Sequence, residues 1–116
     1  MVKVEIGTEK YTQVFAVDEV EFNAHHHYVV KSVEDQPVTL GEVQFQKGPI
    51  KECSINGVCN EDLLAMVLDR LYGFQSSEFK CRENALAITK LEEALHWLRH
   101  RTSVREKRGV EGTHSV

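Results

Sequence analysis

The first half of the chain is rich in Val, Ile, Tyr, Phe and Thr with stretches in which apolar and polar residues alternate with a period of two, and in the second half apolar residues recur at spacings of three and four. That change of period predicts an α+β fold, an N-terminal antiparallel β-sheet followed by a C-terminal two-helix hairpin. Tyr28, Val30 and Ser32 stand against Val29, Lys31 and Val33, the alternation of a strand with one buried face. Strands are predicted over residues 2–6, 11–17, 21–33, 38–46 and 50–55, broken at Gly7, Pro37, Gly48-Pro49 and Asn56-Gly57. Their short spacing favours hairpin connections, because a parallel crossover needs a dozen or more residues.

Past Asn56-Gly57 the helical period begins. Asn60 is placed to cap a helix, Glu61 and Asp62 favour its positive end, and Leu63, Leu64, Val67, Leu68 and Leu71 form its apolar stripe. Gly73 is expected to stop it. A longer helix should start between Ser77 and Cys81 and run through Ile88, Leu91, Leu95 and Leu98 toward Arg105. The 116 residues are read as one domain, with a β-rich half (1–57), a helical hairpin (58–108) and a tail (109–116).

Composition narrows the class. At 41% hydrophobic and 28% charged the chain is ordinary globular material, which argues against wholesale disorder. No apolar run reaches the ~20 residues of a spanning helix, and the first residues do not look like a secretory signal, so a cytosolic protein with no membrane partner is expected. The net charge of -4 hides an asymmetry: residues 99–108 hold five Lys/Arg and one acid, a local +4, which leaves -8 on the remainder. Such a balance suits one small anionic ligand better than a broad DNA-binding face.

Several residues invite chemistry. His25, His26 and His27 suggest a metal, but no carboxylate or cysteine stands at an established spacing, and no metal or cofactor is expected. Cys53, Cys59 and Cys81 form no CxxC pair and read as structural thiols. A hydrolase built on Cys81 or Ser54 with a histidine lacks a nucleophile elbow, a phosphate loop or paired acids, and Glu92 and Glu93 read as solvated helix positions. In the basic tail, Arg101, Arg105 and Arg108 share a helical face, where they are either a phosphate site or a solvated helix end that the dipole favours. Phe74 is either core or a stacking platform, and Asn84 either an interhelical bond or a ligand contact.

From Phe45 onward the chain carries an ordered string of motifs: Phe45-Gln46-Lys47-Gly48-Pro49-Ile50-Lys51-Glu52, Asn56-Gly57, Asp62-Leu63-Leu64, Arg70-Leu71-Tyr72-Gly73-Phe74-Gln75, Cys81-Arg82-Glu83-Asn84, Arg101-Thr102, Arg105, and Arg108-Gly109-Val110-Glu111-Gly112-Thr113. Over about the last 70 residues this resembles the helical-hairpin domain shared by phage sponges against Thoeris and CBASS immunity, and the β-rich half resembles the Thoeris anti-defence (Tad) branch. The resemblance implies a viral protein, not an enzyme. Acting in the cytoplasm of the infected bacterium, such a protein captures a cyclic ADP-ribose isomer without degrading it, and in some members also CBASS cyclic oligonucleotides. It implies ligand contacts at Phe74 (base stacking), Asn84 (polar recognition), Arg101 with Thr102, and Arg105 (pyrophosphate), with Arg108 and Thr113 in a second nucleotide pocket. Dimers, and hexamers in some members, are implied as well. The readings of a different class are a small nucleotide-hydrolysing enzyme and a nucleic-acid-binding regulator using the basic C-terminal helix.

Geometry bears on this mapping. Asn84 and Arg101 lie 17 residues apart, which on one helix is about 25 Å. One small nucleotide touches both only if they come from two subunits, so the site is expected at a homodimer interface.

Overall fold

β-branched and aromatic residues dominate the stretches that pair, and four antiparallel strands form a sheet in chain order: β1 (Val2–Val4), β2 (Thr12–Ala16), β3 (His27–Ser32) and β4 (Thr39–Gln44). This is a computed structural model; it describes residues 1–7 and 9–116, which fall into two compact units, Met1–Val58 and Cys59–Val116. The expected α+β order holds. Register pairs Val4 with Val14, Val14 with Val30, and Ala16 with Tyr28 opposite Val43, so these side chains share one face. Lys3, Phe15, Val29 and Glu42 take the other. A bulge at Val30/Lys31 shifts the β3–β4 pairing by one residue.

Two strand expectations fail for local reasons. Residues 21–33 are not one strand: Glu21 and Ala24 exchange backbone hydrogen bonds of 3.1 and 3.2 Å around Phe22 and Asn23, both at positive φ (47° and 73°). That is a two-residue reversal of the mirror-image type. Residues 50–55 do not extend either, since Ile50–Cys53 makes one helical turn, α1, whose Glu52 and Cys53 amides donate to the Pro49 carbonyl. Proline supplies a preset φ and needs no donor partner at a helix start.

The loop around α1 is pinned by amide side chains. Asn56 and Lys47 exchange bonds of 2.7 and 2.8 Å, while Gln46 Nε2 donates to the Gly48 and Ser54 carbonyls and Gln46 Oε1 accepts from the Asn56 amide. At Gly57 a Cβ would collide with the Phe45 backbone, so only glycine fits beside the Phe45–Val58 bridge. Much of the Phe45 to Gly57 motif is therefore structural.

The second unit is a helical hairpin of α2 (Asn60–Gln75) and α3 (Arg82–Arg108). Cys59, not Asn60, caps α2, in a reciprocal arrangement where Asp62 accepts from the Cys59 amide at 2.8 Å. Burial pushes the Cys59 thiol up, and the Asp62 and Glu61 charges add to that. α2 also passes through Gly73 and ends at Ser76, whose amide reaches the Tyr72 and Gly73 carbonyls. Cys81 caps α3, its sulfur accepting from the Asn84 amide, and Gly109 (φ 73°) closes it in the left-handed conformation. Leu68 and Leu95 are the buried residues of the helices, and the predicted stripe of Ile88, Leu91 and Leu98 is half-buried beside Leu95. Val67 departs from its expected place in the α2 stripe and is exposed.

Candidate functional site

The turn joining the helices carries the first group of candidates. Gln75 braces this turn through paired bonds to Cys81, accepting from its amide at 2.9 Å and donating to its carbonyl at 3.0 Å. Phe74, in the last turn of α2, keeps 37% of its surface exposed, and the Arg70 guanidinium sits 5.2 Å from its ring centroid. A ring so placed is not core; it presents an aromatic face already flanked by a cation. Asn84 is half-buried in the first turn of α3, and only its backbone amide is engaged, by Cys81.

The basic candidates lie at the far end of α3. Because α3 is unbroken over 27 residues, Asn84 and Arg101 are held about 25 Å apart by helix rise alone. A cavity of about 620 Å³ opens there, bordered by His100, Arg101, Arg105, Arg108, Thr113 and His114 among others. Among the described residues no Asp or Glu side chain lines it.

The arginines are not equivalent. Arg101 is exposed and has no hydrogen-bond or ion-pair partner among the described residues. Arg105 is half-buried, and its Nη2 donates to the carbonyls of Val110, Thr113 and Ser115 at 3.0, 3.1 and 2.9 Å. Arg108 Nη2 donates to the main-chain oxygen of Val116 at 2.6 Å. Thr102 and Thr113 turn their hydroxyls to the chain's own carbonyls, of Leu98 and Val110. Sequence reasoning missed Arg70, His100 and His114. The spacing of four between Arg70 and Phe74 on one helix was the signal for the first, whereas nothing local to the sequence brings His114 back to Arg101.

A second cavity, about 470 Å³, lies along the hairpin between Asp69, Tyr72, Glu92, His96 and Arg99. Across it the Tyr72 hydroxyl donates to Glu92 at 2.6 Å, and that bond, with burial and the Glu92 charge, raises the Tyr72 hydroxyl above its ordinary range.

The histidine triplet is engaged otherwise. Asp18 accepts from the His26 and His27 amides at 2.9 and 3.3 Å, and His25 Nδ1 donates to the Asp18 carbonyl at 2.8 Å. His26 reaches the Glu21 carbonyl and His27 the Glu42 carboxylate. Burial alone would raise the Asp18 carboxyl, but the amides it accepts from outweigh that and hold it below the ordinary carboxylate range. Among the described residues no three His, Cys, Asp or Glu side chains gather as a metal site would need, and no helix is long and apolar enough to cross a membrane.

Residues 40–103 match the family described as the Acb2/Tad1 hairpin domain. The chain is also 50% identical to a protein named Thoeris anti-defense 1 from Bacillus phage SBSphiJ7, across 97% of this chain and 96% of that protein.

Proposed function

This chain belongs to the Thoeris anti-defence 1 family and carries its Acb2/Tad1 hairpin domain, and on that premise we propose that it is a phage anti-defence sponge. It binds a cyclic ADP-ribose isomer, the signal of Thoeris immunity, in the cytoplasm of the infected bacterium and holds it without breaking a bond. Phe74 stacks on the base, Asn84 reads its polar edge, and Arg101, with Thr102 on the adjoining helix surface, takes the phosphates. The observation that carries this reading is the Arg101 guanidinium on the wall of an open cavity, where among the described residues it has no partner and no Asp or Glu side chain borders it. Nucleotide hydrolysis would need a positioned base and nucleophile. Cys81 serves instead as a helix cap, and Glu92 is tied to Tyr72.

The unbroken α3 supports a composite site, with Asn84 and Phe74 from one subunit and Arg101 from its neighbour. Exposed Met66, Val67, Leu86, Trp97 and Val104 on the hairpin supply apolar surface for a homodimer or a hexamer. Arg108 and Thr113, on the same cavity wall as Arg101, are the contacts for a second ligand class, the cyclic oligonucleotides of CBASS. DNA is not a partner in this reading, since the net positive charge is concentrated in residues 99–108 and the remainder carries -8.

Complementation tests the shared site. An Asn84→Ala chain and an Arg101→Ala chain, co-expressed with different tags, should yield a heterodimer with about one tight site, because both lesions fall in one pocket and leave the other intact. Calorimetry on the isolated heterodimer that finds no tight site would refute the composite pocket. Recovery of unaltered cyclic ADP-ribose isomer after heat denaturation of the complex supports a sponge, and recovery of a converted product would make the protein an enzyme.

A further inference from the structure

The segment beyond α3 is folded, not trailing. Left-handed backbone at Gly109 (φ 73°) and again at Gly112 (φ 75°) reverses the chain, a conformation that side chains with a Cβ resist. The Val110 amide then donates back to the Arg105 carbonyl at 3.0 Å, and the Thr113 amide to the Val110 carbonyl at 3.1 Å. Into this reversed segment the half-buried Arg105 side chain donates through one nitrogen to the carbonyls of Val110, Thr113 and Ser115, two N–H groups shared among three acceptors. The carbonyls it binds are spread over six residues of chain, which a single cation gathers to one point. Thr113, His114 and Ser115 thereby border the same cavity as Arg101. Arg105 differs from Arg101 in kind: one gathers backbone carbonyls and the other stands open to an anion.

We infer that Arg105 is a positioning residue of the phosphate site, acting by holding residues 110–115 as the wall opposite Arg101. The inference rests on the nucleotide-capture reading for its binding arm, but the fold of the tail is testable without it. The role suits arginine: a guanidinium keeps its charge and carries Nη2 on a rigid plane, whereas a lysine ammonium ends a flexible stem with a different reach. A phosphate ligand at Arg101 gains from the wall because one side of its cavity is fixed before the ligand arrives.

The test is a double-mutant cycle in the full-length protein between Arg105→Ala and Gly112→Val, the latter breaking the tail reversal by placing a β-branched residue at positive φ. Binding of a cyclic ADP-ribose isomer is read by calorimetry, and protection of the Val110 and Thr113 amides by hydrogen exchange. Each single variant should lose protection in the tail and weaken binding by about tenfold or more, the scale of one lost bond to a charged group. The double variant should bind no more weakly than the worse single, since both remove the same wall. Arg101→Ala should weaken binding with the tail still protected. Arg105→Lys should leave the tail exposed and binding weak. Losses that multiply in the double variant, binding restored by lysine while the tail stays unprotected, or an Arg105→Ala tail that keeps its protection would each overturn the inference. If the unaltered protein does not bind the probe, nucleotide capture fails, while the exchange data still decide whether Arg105 holds the tail.

Discussion

In the unit Met1–Val58, side chains that look available for chemistry are closed on the chain itself, whereas in the unit Cys59–Val116 several stand open. Asp18 accepts from two amides, Gln46 and Asn56 pin a loop, and His25, His26 and His27 each meet an oxygen of the same unit. Arg101 by contrast has no such partner among the described residues, Phe74 offers an exposed ring flanked by Arg70, and Trp97 is 65% exposed. A group satisfied within the fold gives up or shares that bond when it meets a ligand, so it recognises one at a cost. An open group gives up only its water. Lesions in the first unit should therefore be read in stability and lesions in the second in capture.

The largest effect expected is at Arg101. Arg101→Ala should reduce affinity for a cyclic ADP-ribose isomer by about 1.5–3 kcal/mol, the worth of a charge-assisted phosphate contact, and shift stability by no more than about 0.5 kcal/mol. Calorimetry beside a thermal melt separates the two, and a large melting change with unaltered affinity would erase the contrast between the units. Next is Phe74→Ala, with an expected loss of about 1–3 kcal/mol in capture if the ring stacks on a base. Phe74→Leu sharpens the point, since leucine fills space but has no π-face. Leucine binding as well as phenylalanine would return Phe74 to a packing role.

The first unit should respond in the opposite channel. Asp18→Asn keeps the shape but removes the charge that two amides address, so melting should fall clearly while capture stays as it was. Its pH dependence has a definite sign. The folded state holds the Asp18 carboxyl below its ordinary value of 3.8, so its contribution is fully present above that value and is lost as pH falls through the lower, folded one. Acid titration of the Asn variant should lack this part of the acid limb; identical acid limbs would remove Asp18 from the account.

What could be read from sequence divides along the same line. The sheet and both helices were legible because alternation at 28–33 and the spacing of Ile88, Leu91, Leu95 and Leu98 record burial directly. Their ends were less so. Cys59 and Cys81 cap helices although a thiol is a weak acceptor outside the usual capping residues, and Gly73 sits inside a helix that stops two residues later. The Ile50 to Ile55 stretch has a β-branched residue at each end, yet Pro49 starts a helical turn there. For the site, the basic face of α3 was legible as a periodicity. Which arginine is open was not, because the acceptors of Arg105 arrive through a reversal at Gly109 and Gly112 five and more residues away.

The smallest effect tests the contrast where it is weakest, in a bond of the second unit that is closed. Tyr72 donates to Glu92 across the hairpin cavity, an arrangement that belongs to stability and not to capture by the reasoning above. Tyr72→Phe should therefore lower melting slightly, less than Asp18→Asn, because both partners are exposed and water replaces the bond. Affinity for the nucleotide should not change. The sign with pH is the reverse of Asp18: the folded state raises the hydroxyl above its ordinary value of 10.0, so the contribution is complete below that value and disappears as pH rises through the folded one. Melting of the unaltered protein and the Phe variant should consequently converge in strong alkali and differ near neutrality. A Phe variant that melts normally but captures poorly would place Tyr72 among the ligand contacts, and with it the 470 Å³ hairpin cavity, so that closure on the chain itself would no longer separate structural from recognition groups in this unit.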